Sequence, residues 1–222
     1  MNAWKIFETD LIVQMPLILA GLVNTLKLAG LISVTGLLLG IIVFYLSISK
    51  NFFIRTATNS YISFFIGMPL IVLLFLMYYG LPQWGVRMDP FNVAAIGFTL
   101  NVAAYNAAYM KTAYNGLNFI ELEAAEAQGF SPFQIFHLIT LPQVLRLSVP
   151  ALTNQVIGNL KDSSVAFLIQ YTEFFARMQE LAASNFQFFK AYLLTAIVYL
   201  ALVSVIVLIA RAIERKVVYP TA

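Results

Sequence analysis

Residues 28–49, 56–86, 91–110 and 191–210 contain no charged side chain, and apolar residues dominate each stretch. The length of these runs constrains the fold more than any other feature. A bilayer core about 30 Å thick takes a helix of roughly 20 apolar residues. Lipid admits only helices and closed barrels, and a barrel strand takes about 9–11 residues, so windows of this length become helices. Composition agrees: 61% of the residues are hydrophobic and 10% are charged, against about 25% charged in a soluble domain. A further apolar window, 147–160, is broken by "KDSS" (161–164) before "VAFLIQY" (165–171) resumes. The reading is an all-α integral membrane protein of about five transmembrane helices. They are expected near 18–48, 57–79, 91–111, 148–171 and 190–211, within a single transmembrane domain over 1–222 and with the fourth interrupted.

Lysine and arginine set the expected orientation. One set of intervening segments holds Lys50, Arg55, Lys111, Arg146, Arg211, Arg215 and Lys216; the other holds Lys5, Arg87, Arg177 and Lys190. Cytoplasmic segments are the richer in basic residues, which predicts the N-terminus outside, the C-terminus inside and residues 112–147 in the cytoplasm. No cleavable leader is expected, because Lys5, Glu8 and Asp10 give the first residues no basic head. The lack of cysteine removes disulfides, thiolate metal sites and cysteine nucleophiles. No extended basic run suggests nucleic acid as a partner.

Polar and helix-breaking residues inside the apolar windows mark positions of interest. Gly67 and Pro69 predict a kink in the second span. Tyr78, Tyr79 and Trp84 suit a membrane interface, and Asn101 and Asn106 are candidates for hydrogen bonds between helices. Lys161 and Asp162 fall well inside the fourth window, where an ionised group costs about 2.5–3.5 kcal/mol and is usually paired or facing water. They either line a path for a solute or satisfy each other, with Ser163 and Ser164 finishing the helix end; both readings stand. His137 has no neighbouring ligand candidates and reads as a solvated or partner-facing residue, so no metal site is expected.

The segment 118–142 is polar where its surroundings are not. Asn118 is placed to cap a helix, with Glu121 completing a capping-box pattern. The helix then runs through "ELEAAEAQ" to Gly129, suited to a left-handed turn. Ser131 is a fresh N-cap with Pro132 at the first helical position, and Pro142 bends or ends the second helix. An acidic linker accounts for the charges but not for Phe130, Phe133 and Phe136, which need a cover. Ala124 and Ala125 leave a low ridge that another backbone can approach. Small residues, aromatics and rim charges together suit a docking knob.

Glu123-Ala124-Ala125, three residues, Gly129, nine residues, then Ile139-Thr140-Leu141-Pro142 resembles the EAA loop of ABC-importer permeases, EAA-x3-G-x9-I-x-L-P, at every fixed position. "GLVNTLKLAG" (21–30), "YISFFIGMPLIVLLFLMYYGLPQWG" (61–85) and "KDSSVAFLI" (161–169) are similar to segments of the polar amino-acid subfamily, the histidine/glutamine/cystine type. The resemblance implies a MetI-like, type I ABC permease: five spans with a cytoplasmic helix-turn-helix coupling loop. It implies that Glu123, Ala124, Ala125, Gly129, Phe133, Phe136, Ile139, Leu141 and Pro142 meet a partner ATPase. It puts Lys161, Asp162, Ser163, Ser164, Asn101, Gly67 and Pro69 along the substrate path, and Glu173 on the outside as a contact for the binding protein or a solvated loop acid.

The partners so implied are an ABC ATPase dimer, a second permease subunit (the same or a homologous chain), a periplasmic or lipid-anchored solute-binding protein, and the lipid of a bacterial cytoplasmic (inner) membrane. The sequence contains no G-x-x-x-x-G-K-[ST] loop, so ATP and Mg belong to the partner, no cofactor is expected on this chain and no catalytic residue is assigned. Candidate substrates are cystine, glutamine or a basic amino acid. Two departures bear on this. Phe65-Ile66-Gly67-Met68-Pro69 stands where the subfamily often has Phe-Arg-Gly-Thr-Pro, and Ala107-Ala108 replaces a frequent Ala-Glu. They point to an unusual substrate or to a heterodimer whose other chain supplies the charges. The competing classes are an ion- or proton-coupled carrier or channel working without an ATPase, for which the EAA loop has no role, and a membrane enzyme, for which the chain offers one histidine and no cysteine.

Overall fold

The computed structural model describes residues 3–217, and every regular element among them is helical. In chain order these are α1 (Ala3–Ser47), α2 (Phe52–Gly67), α3 (Leu70–Phe75), α4 (Pro90–Asn115), α5 (Ile120–Ala127), α6 (Pro132–Ile135), α7 (Leu141–Asp162), α8 (Phe174–Asn185) and α9 (Phe188–Val217). The two termini, expected on opposite sides of the membrane, lie outside the described residues.

Three helices are long and apolar enough to cross a bilayer, Phe7–Ser47, Pro132–Ile169 and Phe188–Ala212. The pair Phe52–Gly67 and Leu70–Trp84, bent by 98°, makes a fourth candidate. The kink expected at Gly67 and Pro69 is thus a full break, as befits a proline with no amide hydrogen to continue the helix. Beyond it, α3 passes into a π-turn (Leu76–Gly80) and a 3-10 turn (Leu81–Trp84), closed by Gly85 at φ +83°. α4 has 26 residues and reaches about 39 Å. Much of it is covered by its neighbours: Val93, Ala94, Phe98, Val102, Ala103, Ala107 and Met110 are all buried, with Asn101 and Asn106 among them.

α1 lies closest to α4. The sequence "TGLLLG" (35–40) spaces two glycines four apart, the pattern that lets helix backbones meet in a membrane. A Cβ on Gly36 would stand 2.5 Å from Val102 Cγ1, and one on Gly40 2.8 Å from Asn106 Cβ. The Thr35 and Thr99 hydroxyls share a hydrogen bond of 2.7 Å across the same seam.

Two features depart from expectation. First, α1 has 45 residues, about 68 Å at 1.5 Å per residue. The stretch before residue 18 continues the span as a helix, with Phe7 and Leu11 packed against Leu181 and Ala182. Second, the segment read as an outer loop after the fourth span folds as α8. Phe174, Met178, Leu181 and Ala182 recur at helical spacing on its buried face, a pattern short enough to pass unnoticed beside the spans.

Candidate functional site

The polar double helix is built as its punctuation predicts, with three corrections. α5 ends in a pair of backbone bonds, Gly129 N to Glu126 O at 3.0 Å and Phe130 N to Ala125 O at 3.1 Å, and Gly129 takes φ +86°. This is the left-handed termination that glycine allows. Ser131 then caps α6: Gln134 N donates to its hydroxyl at 3.3 Å, and Ser131 N donates to Gln134 Oε1 at 2.8 Å. The capping box therefore sits at the second helix, not the first. Asn118 accepts only from Ile120 N, at 3.2 Å, while Glu121 reaches across to accept from Gln143 Nε2 at 2.7 Å.

The second correction concerns Pro142. It does not end the helix: it follows directly on a π-turn whose closing bond, Leu141 N to Phe136 O, leads straight into α7. α6 runs through a π-turn (Phe136–Thr140) directly into α7, so the second of the two short helices and the fourth span are one continuous rod. The third correction concerns the cover. Phe136 is buried by the chain itself, with ring centroids 4.5 Å from Tyr45 and 5.8 Å from Phe44. Ala125 is buried too. What remains outward is Ala124 and Glu123, with Ile120, Phe133 and Leu138 at 68%, 63% and 58% exposure.

Lys50, in the α1–α2 link, closes an ion pair with Glu126 Oε1 at 2.8 Å. The hydrogen bond and then the charge of each partner lift the Lys50 ammonium above its ordinary pKa and lower that of Glu126. Both groups are solvated, so the pair fixes geometry more than it stabilises. Under it lies a cavity of about 600 Å³, lined by Tyr45, Tyr114, Phe119, Glu123 and Phe136 among others.

At the other end of α7 the interruption at 161–164 is a change of helix type. α7 stops at Asp162 and a 3-10 helix, Ser163–Ile169, continues. Ser163 and Ser164 each donate to the carbonyl three residues back, at 2.7 and 2.8 Å. Lys161 and Asp162 are both exposed and do not pair with each other: among the described residues the ion pairs are Lys50–Glu126 and Arg177–Glu180. Lys161 faces a groove of about 470 Å³ with Ser164, Phe175, Tyr192, Thr195 and Tyr199. Its tyrosines and threonine come from α9, where nothing in the apolar run sets them apart in the sequence.

Glu173 is not the outward acid expected. It is fully buried and caps α8, accepting from Phe175 N at 2.8 Å and Ala176 N at 2.7 Å. Thr25 Oγ1 and Tyr199 OH also donate to it, at 3.1 and 3.3 Å. Burial pushes its carboxyl up, against the pull of those four hydrogen bonds. A contact for an outside partner is thereby removed from this residue. Asn101 does bridge helices, donating to Phe65 O at 2.8 Å. Asn106 is buried, and its Oδ1 has no partner among the described residues.

Comparison with known proteins matches residues 35–219 to the family described as "Binding-protein-dependent transport system inner membrane component". The chain is 36% identical over 205 residues to the probable amino-acid ABC transporter permease protein PatM of Vibrio harveyi, covering 91% of this chain and 92% of that one. It is 32% identical over 202 residues to the L-cystine transport system permease protein TcyB of Bacillus subtilis, covering 90% and 86%. Among solved structures, that of an amino acid ABC transporter with histidines superposes with a TM-score of 0.84 at 26% identity, over 94% of this chain and 97% of that one.

Proposed function

Since this chain belongs to the family of binding-protein-dependent transport system inner membrane components, we propose that it is the membrane subunit of an ATP-driven importer for a polar amino acid. Relatives named for amino-acid and L-cystine transport support that substrate class, with cystine, glutamine or a basic amino acid as candidates. The single observation that carries the coupling is the double helix itself. It is capped at the turn, latched to the α1–α2 link through Lys50–Glu126, and continuous with α7 through its second helix. A push on its exposed face, where Glu123, Ala124 and Phe133 look outward, travels along a rigid rod to Lys161 and Asp162, whereas a flexible linker would absorb it.

The chain itself hydrolyses nothing in this reading. ATP and Mg are bound by a partner ATPase dimer beneath the double helix, and a second permease subunit completes the path. A solute-binding protein delivers substrate from outside the bacterial cytoplasmic membrane, with the N-terminus outside and the C-terminus in the cytoplasm. Lys161, with Ser164 beside it, is suited to a substrate carboxylate, and Asp162 to an amino group.

Co-purification with the ATPase tests the coupling. Glu123→Lys reverses the exposed charge, and Gly129→Val puts a β-branched residue at φ +86°, at a cost of about 1–2 kcal/mol or more. Each is expected to cut ATPase recovery and uptake at least tenfold while leaving membrane insertion intact. Full recovery with normal uptake would remove the assignment. For the path, Asp162→Asn is expected to change the concentration dependence of substrate-stimulated ATP hydrolysis in reconstituted vesicles; unaltered kinetics would take Asp162 out of it. Uptake by this chain in vesicles lacking any ATPase would instead establish a self-sufficient carrier.

A further inference from the structure

In an unbroken helix the amide of residue 69 would donate to Phe65 O. Pro69 has none, and α2 ends with Met68 N donating to Phe64 O at 3.0 Å. The orphaned Phe65 carbonyl faces α4, where Asn101, 8% exposed, donates to it through Nδ2 at 2.8 Å. A turn earlier, Tyr61 OH donates to Leu100 O at 2.7 Å. Two side-chain bonds running in opposite directions therefore tie α2 to α4 at the break. Past it, residues 70–84 lie on the 3-10 end of the fourth span: Tyr78 OH donates to Gln170 Oε1 at 3.2 Å and Tyr79 OH to Leu168 O at 3.3 Å. Leu74 packs in one cluster with Ala166 and Ile169.

We propose that Asn101 is a positioning residue for transport, supplying the hydrogen bond that Pro69 cannot make and so holding residues 70–84 folded over the turn that follows Lys161 and Asp162. The inference rests on the importer reading for its effect on uptake. Its structural half stands apart from it. A half-buried carbonyl facing another helix without a partner is disfavoured, most of all away from water. With Asn101 removed, the Phe65 carbonyl must seek another donor and the 98° bend loses its fastening. With Pro69 replaced by alanine, the restored amide can take the carbonyl and Asn101 becomes redundant.

The absence of cysteine makes paired spin labels at Phe53→Cys and Gln83→Cys direct. At 1.5 Å per residue the two arms put these sites about 30 Å apart when bent, and about 45 Å when straight. In lipid nanodiscs, Asn101→Ala is expected to broaden the distance distribution toward the longer value, and Asn101→Ser, too short to reach Phe65 O, to do the same. In the Pro69→Ala background, adding Asn101→Ala is expected to change the distribution little. Uptake is expected to fall at least tenfold with Asn101→Ala, and no further than with Pro69→Ala alone when the two are combined.

An unchanged distribution in Asn101→Ala, or an equal change in both backgrounds, overturns the proposal. If Asn101→Ala fails to fold, folding restored by Pro69→Ala supports it and failure in both backgrounds overturns it. The distances need neither ATPase nor binding protein. A chain whose labels respond as expected but which shows no uptake with its partners would therefore count against the importer reading and not against the role of Asn101.

Discussion

Gly40→Leu is expected to prevent accumulation of a folded chain. The position faces α4 so closely that the first added carbon already meets Asn106 Cβ at 2.8 Å and Ala103 O at 3.3 Å. The second of these is backbone and cannot turn aside. A leucine brings three more carbons into the same seam, so the helices must separate along the most intimate contact in the bundle. Overpacking usually costs about 1–3 kcal/mol, and moving two helices apart lies at or above the top of that range. Gly36→Leu, opposite Val102, is expected to behave alike. The check is size-exclusion of a fluorescent fusion in mild detergent, where the monodisperse peak should vanish. Gly30→Leu serves as the control, because nothing stands within 4 Å of a Cβ there. Equal behaviour of the Gly30 and Gly40 variants would mean that close approach is not what these glycines provide.

Glu173→Ala is expected to lower the melting temperature by roughly 6–12 °C, the equivalent of about 3 kcal/mol in a chain of this size. The magnitude follows from what the carboxylate holds. It caps α8, a contribution of about 1–2 kcal/mol, and accepts from Thr25 on α1 and Tyr199 on α9. Loss of the acceptor leaves buried donors at about 1–3 kcal/mol each, offset by no longer burying an acid. Thr25 Oγ1 also accepts from Phe174 N at 3.0 Å, and Asn24 Nδ2 donates to Thr172 O at 2.9 Å, so the junction of α1 with the start of α8 loosens as a unit. Glu173→Gln keeps one acceptor oxygen for the helix amides and is expected to cost less than half as much. Thermal melting of the purified chain decides it, and an alanine variant within a degree of the parent would show that the cap does not organise this end.

The polar double helix was legible because its signals are local. Gly129 and Ser131 act on amides within a few residues, so left-handed turn and N-cap could be read from order alone and both are formed. Where reading failed, the deciding partner was remote. Glu121 looked like a capping acid, yet Gln143 claims it. Phe136 looked like a docking aromatic, yet Phe44 and Tyr45 cover it. Lys161 and Asp162, adjacent in the chain, form no ion pair with each other. Glu173, charged and next to a span, suggests an outward group, because nothing near it in the chain announces Thr25 or Tyr199.

By itself, then, the sequence determined the solvent and the segment that leaves it. Charge-free runs of membrane length point to helices, and Gly129, Ser131 and Pro132 mark the turn of one polar excursion by backbone chemistry alone. Only the tertiary structure decided which polar groups the bundle keeps for itself. Glu173 turns inward to cap α8, Asn101 reaches the carbonyl that Pro69 leaves open, and Gly36 and Gly40 let α1 settle against α4. The reason is physical: lipid leaves a buried donor or acceptor no water to fall back on, so each must find a partner wherever the packing puts one, often on a helix far away in the chain.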